Sequence, residues 1–147
     1  MMTKNSLLID MLKRHEGEVK KNGRHVAYMC PAGHWTIGIG RNIDPNGGIG
    51  LSDEEVDMLL EGDILRVIKE LSEEYPWFDS LDDVRKNALI DIGFNLGATR
   101  LRLFKKALSA MEVADYSQSA DEFMRSLWAK QVGSRAIELT EMIRNGK

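Results

Sequence analysis

Residues 18–41 read EVKKNGRHVAYMCPAGHWTIGIGR, and this stretch decides the fold class. Asn22-Gly23 is a strong hairpin signal, because a type I′ turn needs positive φ at both of its central positions. β-branched and aromatic residues follow it, and Pro31-Ala32-Gly33 marks a second turn among them. The pattern therefore predicts a small antiparallel sheet of two or three strands, with Trp35 to Ile39 forming its last strand.

Helical patterns lie on both sides of this predicted sheet. Residues 5–15 carry apolar side chains at helical spacing, and this short helix ends near Glu16-Gly17. Ser52, with Glu55 three positions later, forms a capping box that opens a long helix ending near Glu74. Further starts and stops predict four more helices, at Ser80 to about Leu96, Leu101–Met111, Ser117–Leu127 and Ser134–Asn145.

This order of elements predicts an α+β protein with one domain over residues 1–147. We expect a sheet lobe at about 17–50 and a mainly helical lobe at about 51–147, to which the N-terminal helix adds. A cleft between the two parts is the default position for a ligand site.

Composition excludes several classes of protein. The 147 residues carry a formal net charge of −3, whereas nucleic-acid-binding domains usually show a basic excess. The single cysteine rules out a disulfide within the chain. The N-terminal apolar run, Leu7 to Ile9, is too short for a signal peptide, and no segment is long enough to anchor the chain in a membrane. We therefore expect synthesis in the cytoplasm.

Two residues in this region could carry chemistry. Glu16 ends a helix, and a carboxyl group that is partly buried at a cleft suits a general acid because burial raises its pKa. Cys30 could be a metal ligand, a nucleophile or an inert small side chain. Since no spacing of His15, His25 and His34 around it matches a zinc motif, neither a metal nor another cofactor is expected.

Five segments of the chain carry recognisable motifs. They read RHEG at 14–17, AYMCPAGHWTIGIG at 27–40, DSLDDVRKNAL at 79–89, GFNLG at 93–97 and WAKQVGSRA at 128–136. In this order they resemble the phage lysozymes, the endolysin muramidases of glycoside hydrolase family 24. The resemblance spans about residues 7 to 146.

The resemblance implies a lysozyme-like fold and a catalytic triad of Glu, Asp and Thr. Glu16 falls on the acid and Thr36 on the threonine, but Cys30 stands where the family normally has aspartate. Compared with the family, residues 20–24 also lengthen the hairpin between Glu16 and Cys30. We hypothesise that Cys30 replaces the aspartate as base or nucleophile while Thr36 positions the water. An inactive site with an inert thiol is the rival interpretation.

The same resemblance implies the remaining roles. Phe94 and Asn95 match residues that contact the glycan, and Arg135 matches a supporting arginine that reaches the catalytic glutamate. The implied function is hydrolysis of the β-1,4 bond between N-acetylmuramic acid and N-acetylglucosamine in peptidoglycan, which lyses the host cell. We expect a monomer that depends on a separate membrane-permeabilising protein. A lytic transglycosylase and a non-catalytic peptidoglycan-binding module are the alternatives.

Overall fold

The structure of the protein is a computed structural model that describes residues 6–147. It divides into two compact units, one ending at Asp57 and one running from Met58 to Lys147. The expected helix over 5–15 is present over Ser6–Glu16, and residue 5 lies outside the described part. That the units together form one lysozyme-like domain, with the boundaries given above, stays a prediction.

The first unit contains one helix and five short strands. They are α1 (Ser6–Glu16), β1 (Lys20–Lys21), β2 (Arg24–His25), β3 (Tyr28–Met29), β4 (Trp35–Ile37) and β5 (Arg41–Asn42). Strands β1 and β2 pair as an antiparallel hairpin, while β3, β4 and β5 form a second antiparallel sheet in that order. The prediction of one sheet is therefore wrong in detail. The hairpin of β1 and β2 ends with a hydrogen bond from the Val26 N–H to the Val19 carbonyl. Strand β3 then pairs with β4 and does not extend that hairpin.

The turns in this unit explain where the strands end. Asn22 and Gly23 have φ of 52° and 77°, which confirms the predicted I′-type turn between β1 and β2. Ile39 was expected to extend β4, but β4 ends at Ile37. The flanking glycines, Gly38 and Gly40, have φ of 64° and 70°, values that an extended strand cannot contain.

The second unit is helical. The long helix α2 (Asp53–Glu74) begins in the first unit and continues into the second, and a 3₁₀ turn at Pro76–Ser80 follows it. The remaining helices are α3 (Asp83–Leu96), α4 (Ala98–Leu101), α5 (Lys105–Glu112), α6 (Tyr116–Met124), α7 (Leu127–Val132) and α8 (Ser134–Asn145). The α+β class is thus confirmed.

Caps account for both the correct and the incorrect helix boundaries. The Glu55 N–H donates to the Ser52 hydroxyl and the Ser52 N–H donates to the Glu55 carboxylate, so the predicted capping box is present. Ser80 was expected to cap the next helix, but Asp82 does so by accepting from the Arg85 N–H at 3.0 Å. Ser80 instead ends the 3₁₀ turn.

Two predicted helices have different bounds in the structure. The helix expected over 101–111 begins only at Lys105, as α5, because Leu101 is the last residue of α4 and the chain turns through 102–104. The helix expected over 117–127 ends at Met124, and the Ser126 hydroxyl then accepts from the Ala129 N–H to start α7. By contrast, α8 covers the predicted range Ser134–Asn145.

The apolar core lies among the helices of the second unit. Phe78, Leu89, Ile92, Phe123 and Ile143 are its largest fully buried apolar side chains besides Leu101 and Met111. Phe104, Phe123 and Trp128 contact one another with ring centroids 5.4 to 6.4 Å apart. None of the helices in the described residues is long and apolar enough to cross a membrane.

Candidate active site

The carboxylate of Glu16 lies against the backbone of Gly40. Glu16 is the last residue of α1, and Gly40 ends the turn that follows β4. A Cβ atom placed on Gly40 would be 2.7 Å from Glu16 Oε2 and 2.9 Å from Glu16 Cδ. A Cβ at position 40 would displace the Glu16 carboxylate, so glycine leaves room for that carboxylate beside the backbone.

Cys30 lies in the hairpin between β3 and β4, where a backbone N–H donates to its sulfur. The His34 N–H donates to Cys30 Sγ at 3.4 Å. This bond is the largest cause of the lowered pKa of the Cys30 thiol; desolvation opposes it, and the backbone of Ala32 and Gly33 adds to it. A hydrogen bond donated to a titratable group favours its anionic form. The hairpin therefore favours the thiolate, the reactive form of cysteine.

Thr36 is buried in β4, with 4% of its surface exposed. Its hydroxyl donates to the His34 carbonyl at 3.0 Å and also contributes to lowering the pKa of the Cys30 thiol. A hydroxyl carries one proton, so Thr36 can donate to the carbonyl or to the sulfur but not to both at once. The structure thus brings together Cys30 and Thr36, two of the three residues that the sequence singled out.

Charged groups fasten the chain that follows β4. Arg41 pairs with the Glu55 carboxylate at 2.5 Å and donates to the Gly50 carbonyl at 3.0 Å. Glu55 also accepts from the Ser52 N–H, and this bond is the largest cause of its lowered pKa. Arg41 therefore ties β5 to the first turn of α2. The sequence analysis assigned Arg41 no role, and its partner Glu55 lies 14 residues further along the chain.

Asp44 is a second residue that the sequence analysis missed. Its carboxylate accepts from the backbone N–H groups of Asn46 and Trp35, in that order the largest causes of its lowered pKa. The bond to Trp35 holds the loop after β5 against β4. An Asp-Pro pair at the start of a loop is a recognisable turn signal, but its partner on β4 is not visible in the sequence.

Phe94 and Arg135 line one cavity of the second unit, of about 460 Å³. Phe94 is 42% exposed, and apolar side chains of α2 and α3 surround it. Arg135 forms an ion pair with Asp91, whose Oδ1 is 2.6 Å from its guanidinium. Asp91 was not anticipated as the partner of Arg135, and a role of Arg135 toward Glu16 stays a prediction.

Asn95 faces a different environment. Its side-chain oxygen accepts from the indole N–H of Trp128 at 2.7 Å, which fixes the amide orientation. Trp128 is 3% exposed and also lines a cavity of about 510 Å³ with Arg100, Lys105 and Lys106. Trp128 therefore packs in the helical unit. Contact of Asn95 with a glycan stays a prediction.

Comparison with known proteins decides the family. The phage lysozyme family model matches residues 13–144. The chain belongs to the phage lysozyme family. An endolysin of Acyrthosiphon pisum secondary endosymbiont phage 1 is 32% identical over 125 residues, which cover 85% of this chain and 80% of the relative. A probable T4-type lysozyme 2 of Dictyostelium discoideum is 30% identical, covering 96% of this chain and 95% of the relative.

Membership of the phage lysozyme family makes the protein an enzyme, a glycosidase of the lysozyme type. It confirms the resemblance that the five sequence segments indicated. A lytic transglycosylase or a non-catalytic peptidoglycan-binding module is not favoured. Among the described residues, no group of His, Cys, Asp and Glu side chains could hold a metal ion.

Proposed function

We propose that this phage lysozyme is an N-acetylmuramidase in which Glu16 and Cys30 carry the reaction and Thr36 supports it. The observation that supports this most strongly is the hydrogen bond from the His34 N–H to the Cys30 sulfur, at the position where the family normally has aspartate. This bond and the neighbouring backbone lower the pKa of the Cys30 thiol. The bond cleaved is the β-1,4 linkage between N-acetylmuramic acid and N-acetylglucosamine.

Glu16 is the general acid in this proposal. Glycoside hydrolysis requires a carboxylic acid that protonates the leaving glycosidic oxygen. Gly40 leaves space for the carboxyl group beside its backbone at the end of α1. Catalysis needs the acid at a set distance from the bond that it protonates, and a side chain at position 40 would displace it.

Cys30 is the second group. As a base, its thiolate takes a proton from water while the water oxygen attacks the anomeric carbon, and the Glu16 proton passes to the leaving oxygen. As a nucleophile, the sulfur attacks that carbon first, and water then hydrolyses the glycosyl-sulfur bond. A free thiol is mostly protonated at neutral pH, so the lowered pKa of Cys30 serves both routes. The base route inverts the anomeric configuration and the nucleophile route retains it, so NMR of the first product anomer separates them.

Three residues of the second unit complete the proposal. We assign Phe94 and Asn95 to glycan binding and Arg135 to a supporting role. The exposed ring of Phe94 offers an apolar surface to a sugar, and the Trp128 bond presents the Asn95 amide in one orientation. Arg135 is held by its ion pair with Asp91.

Mass spectrometry of the products released from purified peptidoglycan tests this function. We expect muropeptides with reducing ends from the wild type and none from Glu16→Gln. Anhydro ends would show a transglycosylase, and the absence of any soluble product from the wild type would show a binding module. Either result would contradict the proposal.

We further propose that the protein acts as a monomer after synthesis in the cytoplasm, lyses the host cell and reaches the wall through a separate membrane-permeabilising protein. The endolysin relatives support the lytic role. Expression in a bacterial host should leave cell turbidity unchanged until a permeabilising agent is added. Lysis without that agent would contradict the dependence on a partner.

A further inference from the structure

A groove on the second unit brings two aromatic rings together outside the residues used above. It has a volume of about 370 Å³. Its lining residues come from the region around the 3₁₀ turn, from the segment that follows α4, and from α5. Tyr75 and Trp77 form its aromatic wall, with ring centroids 5.4 Å apart and planes inclined by 41°. Both rings are partly buried against the core, so their position in the groove is fixed.

The polar atoms of these two rings are available to a ligand. Among the described residues, neither the Trp77 indole N–H nor the Tyr75 hydroxyl has a hydrogen-bond partner, and no polar side-chain atom is buried without one. Both groups therefore face solvent. Desolvation raises the pKa of Tyr75, so its hydroxyl remains protonated and can donate. An aromatic surface edged by free donors suits a ligand with an apolar face and a rim of hydroxyl and amide groups.

The charges around the groove balance. Glu74 and Glu112 oppose Arg102 and Lys105, and Arg102 pairs with Glu74 at 2.6 Å. The 510 Å³ cavity differs, since Arg100, Lys105 and Lys106 outnumber its single acid, Glu122. Electrostatics thus favours an anionic ligand there and an uncharged one in the groove. N-acetylglucosamine is uncharged, polyhydroxylated and carries an acetamide group.

We propose that the Tyr75–Trp77 groove is a second binding site for the glycan strand, one that takes uncharged N-acetylhexosamine units away from the residues that cleave the bond. This inference rests on the proposed function only in its choice of polymer. Such a site holds the enzyme on an insoluble wall between cleavage events, because a second contact on the same polymer raises the effective concentration of the first.

Nuclear magnetic resonance tests the site without altering it. The probe is the N-acetylglucosamine tetramer, added to ¹⁵N-labelled Glu16→Gln protein so that no cleavage occurs, with the Trp77 indole signal assigned from its loss in Trp77→Phe. We expect a saturable shift of that signal. A Trp77 signal that stays fixed while the wild type still releases reducing ends from peptidoglycan would overturn the groove and leave the proposed function standing.

Sedimentation with insoluble peptidoglycan provides the second arm. In the Glu16→Gln background, Trp77→Leu and Tyr75→Leu should each weaken binding about three- to tenfold, the loss expected for one aromatic contact. Tyr116→Leu is the matched control, because Tyr116 is also a partly buried ring of the same unit but packs on Arg85 instead. Equal weakening in all three variants would overturn the proposal, since the loss would follow from destabilisation of the unit.

Discussion

Two parts of the molecule are held together differently. Among residues 6–57, Thr36 alone is buried, and the strands there are only two or three residues long. Residues 58–147 enclose a continuous apolar core between helices. The first part is shaped by tight turns, by the Arg41–Glu55 ion pair and by hydrogen bonds between residues close in sequence.

The two units therefore contribute differently: the helical unit supplies most of the stability, and the first unit carries the proposed catalytic groups. Burial of apolar surface is the dominant favourable contribution to folding, and it lies almost wholly in the helical unit. The proposed catalytic groups lie in the unit with little core. Substitutions in the first unit should therefore change the rate more than the free energy of unfolding, and core substitutions should do the reverse.

The largest expected effect on rate is that of Glu16→Gln. Loss of a general acid typically lowers the rate by about 10² to 10⁴. Because Glu16 is exposed, the melting temperature should change little. Turbidity loss of a peptidoglycan suspension measures the rate, and Glu18→Gln, which removes a neighbouring surface carboxylate, is the control. A Glu16→Gln variant as active as Glu18→Gln would show that Glu16 is not the general acid.

The largest expected effect on stability is that of Phe123→Ala. Phe123 is fully buried among aromatic rings, and such truncations cost about 3–5 kcal/mol because they leave a cavity. Urea unfolding measures the loss, and the rate per folded molecule should stay close to that of the wild type. A large fall in that rate without loss of stability would contradict the claim that core substitutions change stability more than rate.

Gly40→Ala should lower the rate by about ten- to hundredfold, because a new Cβ would displace the Glu16 carboxylate. Gly38→Ala is the matched control. Gly38 has a similar positive φ of 64°, but nothing lies within 4 Å of a Cβ placed there. Both variants therefore carry similar backbone strain, but only Gly40→Ala places a new atom against Glu16. Equal rates for the two variants would show that Gly40 does not position Glu16.

The smallest expected effects come from two helix caps. Ser52→Ala and Asp82→Ala each remove a side-chain acceptor, a change worth about 1 kcal/mol in a helix. We expect the larger fall in unfolding free energy for Asp82→Ala, because α3 buries more residues than α2 does. Burial raises the pKa of Asp82, but bonds from Arg85 lower it more, so the net shift is downward. Its stabilisation is therefore present above the unfolded pKa and is lost as pH falls through the folded one.

The contrast between the two units also bears on which features could be predicted from the sequence. Periodicity located both α2 and α8, and the capping box also marked the start of α2. The cap of α3 was expected at Ser80 but lies at Asp82, where the side chain of Arg85 also reaches the Ile143 carbonyl. The bounds of α5 and α6 also depend on packing, which no local pattern reports.

At the candidate site, the sequence singled out Glu16, Cys30 and Thr36, since the resemblance covers all three, and their roles stay predictions. It could not anticipate the hydrogen bond to the Cys30 sulfur. That bond depends on backbone directions in the β3–β4 hairpin, and His34 makes it through its N–H group rather than its side chain. The ion pair of Arg135 with Asp91 likewise joins residues far apart in the chain.

The most direct test of the account is the pH dependence of peptidoglycan hydrolysis for the wild type, Cys30→Ala and Cys30→Asp. We predict that the alanine variant loses activity at every pH and that the aspartate variant keeps or exceeds the wild-type rate. Activity of the aspartate variant should also extend to lower pH, because a carboxyl group ionises at about pH 4 and a thiol near 8.5. An alanine variant with the wild-type rate and the wild-type pH profile would contradict the role given to Cys30.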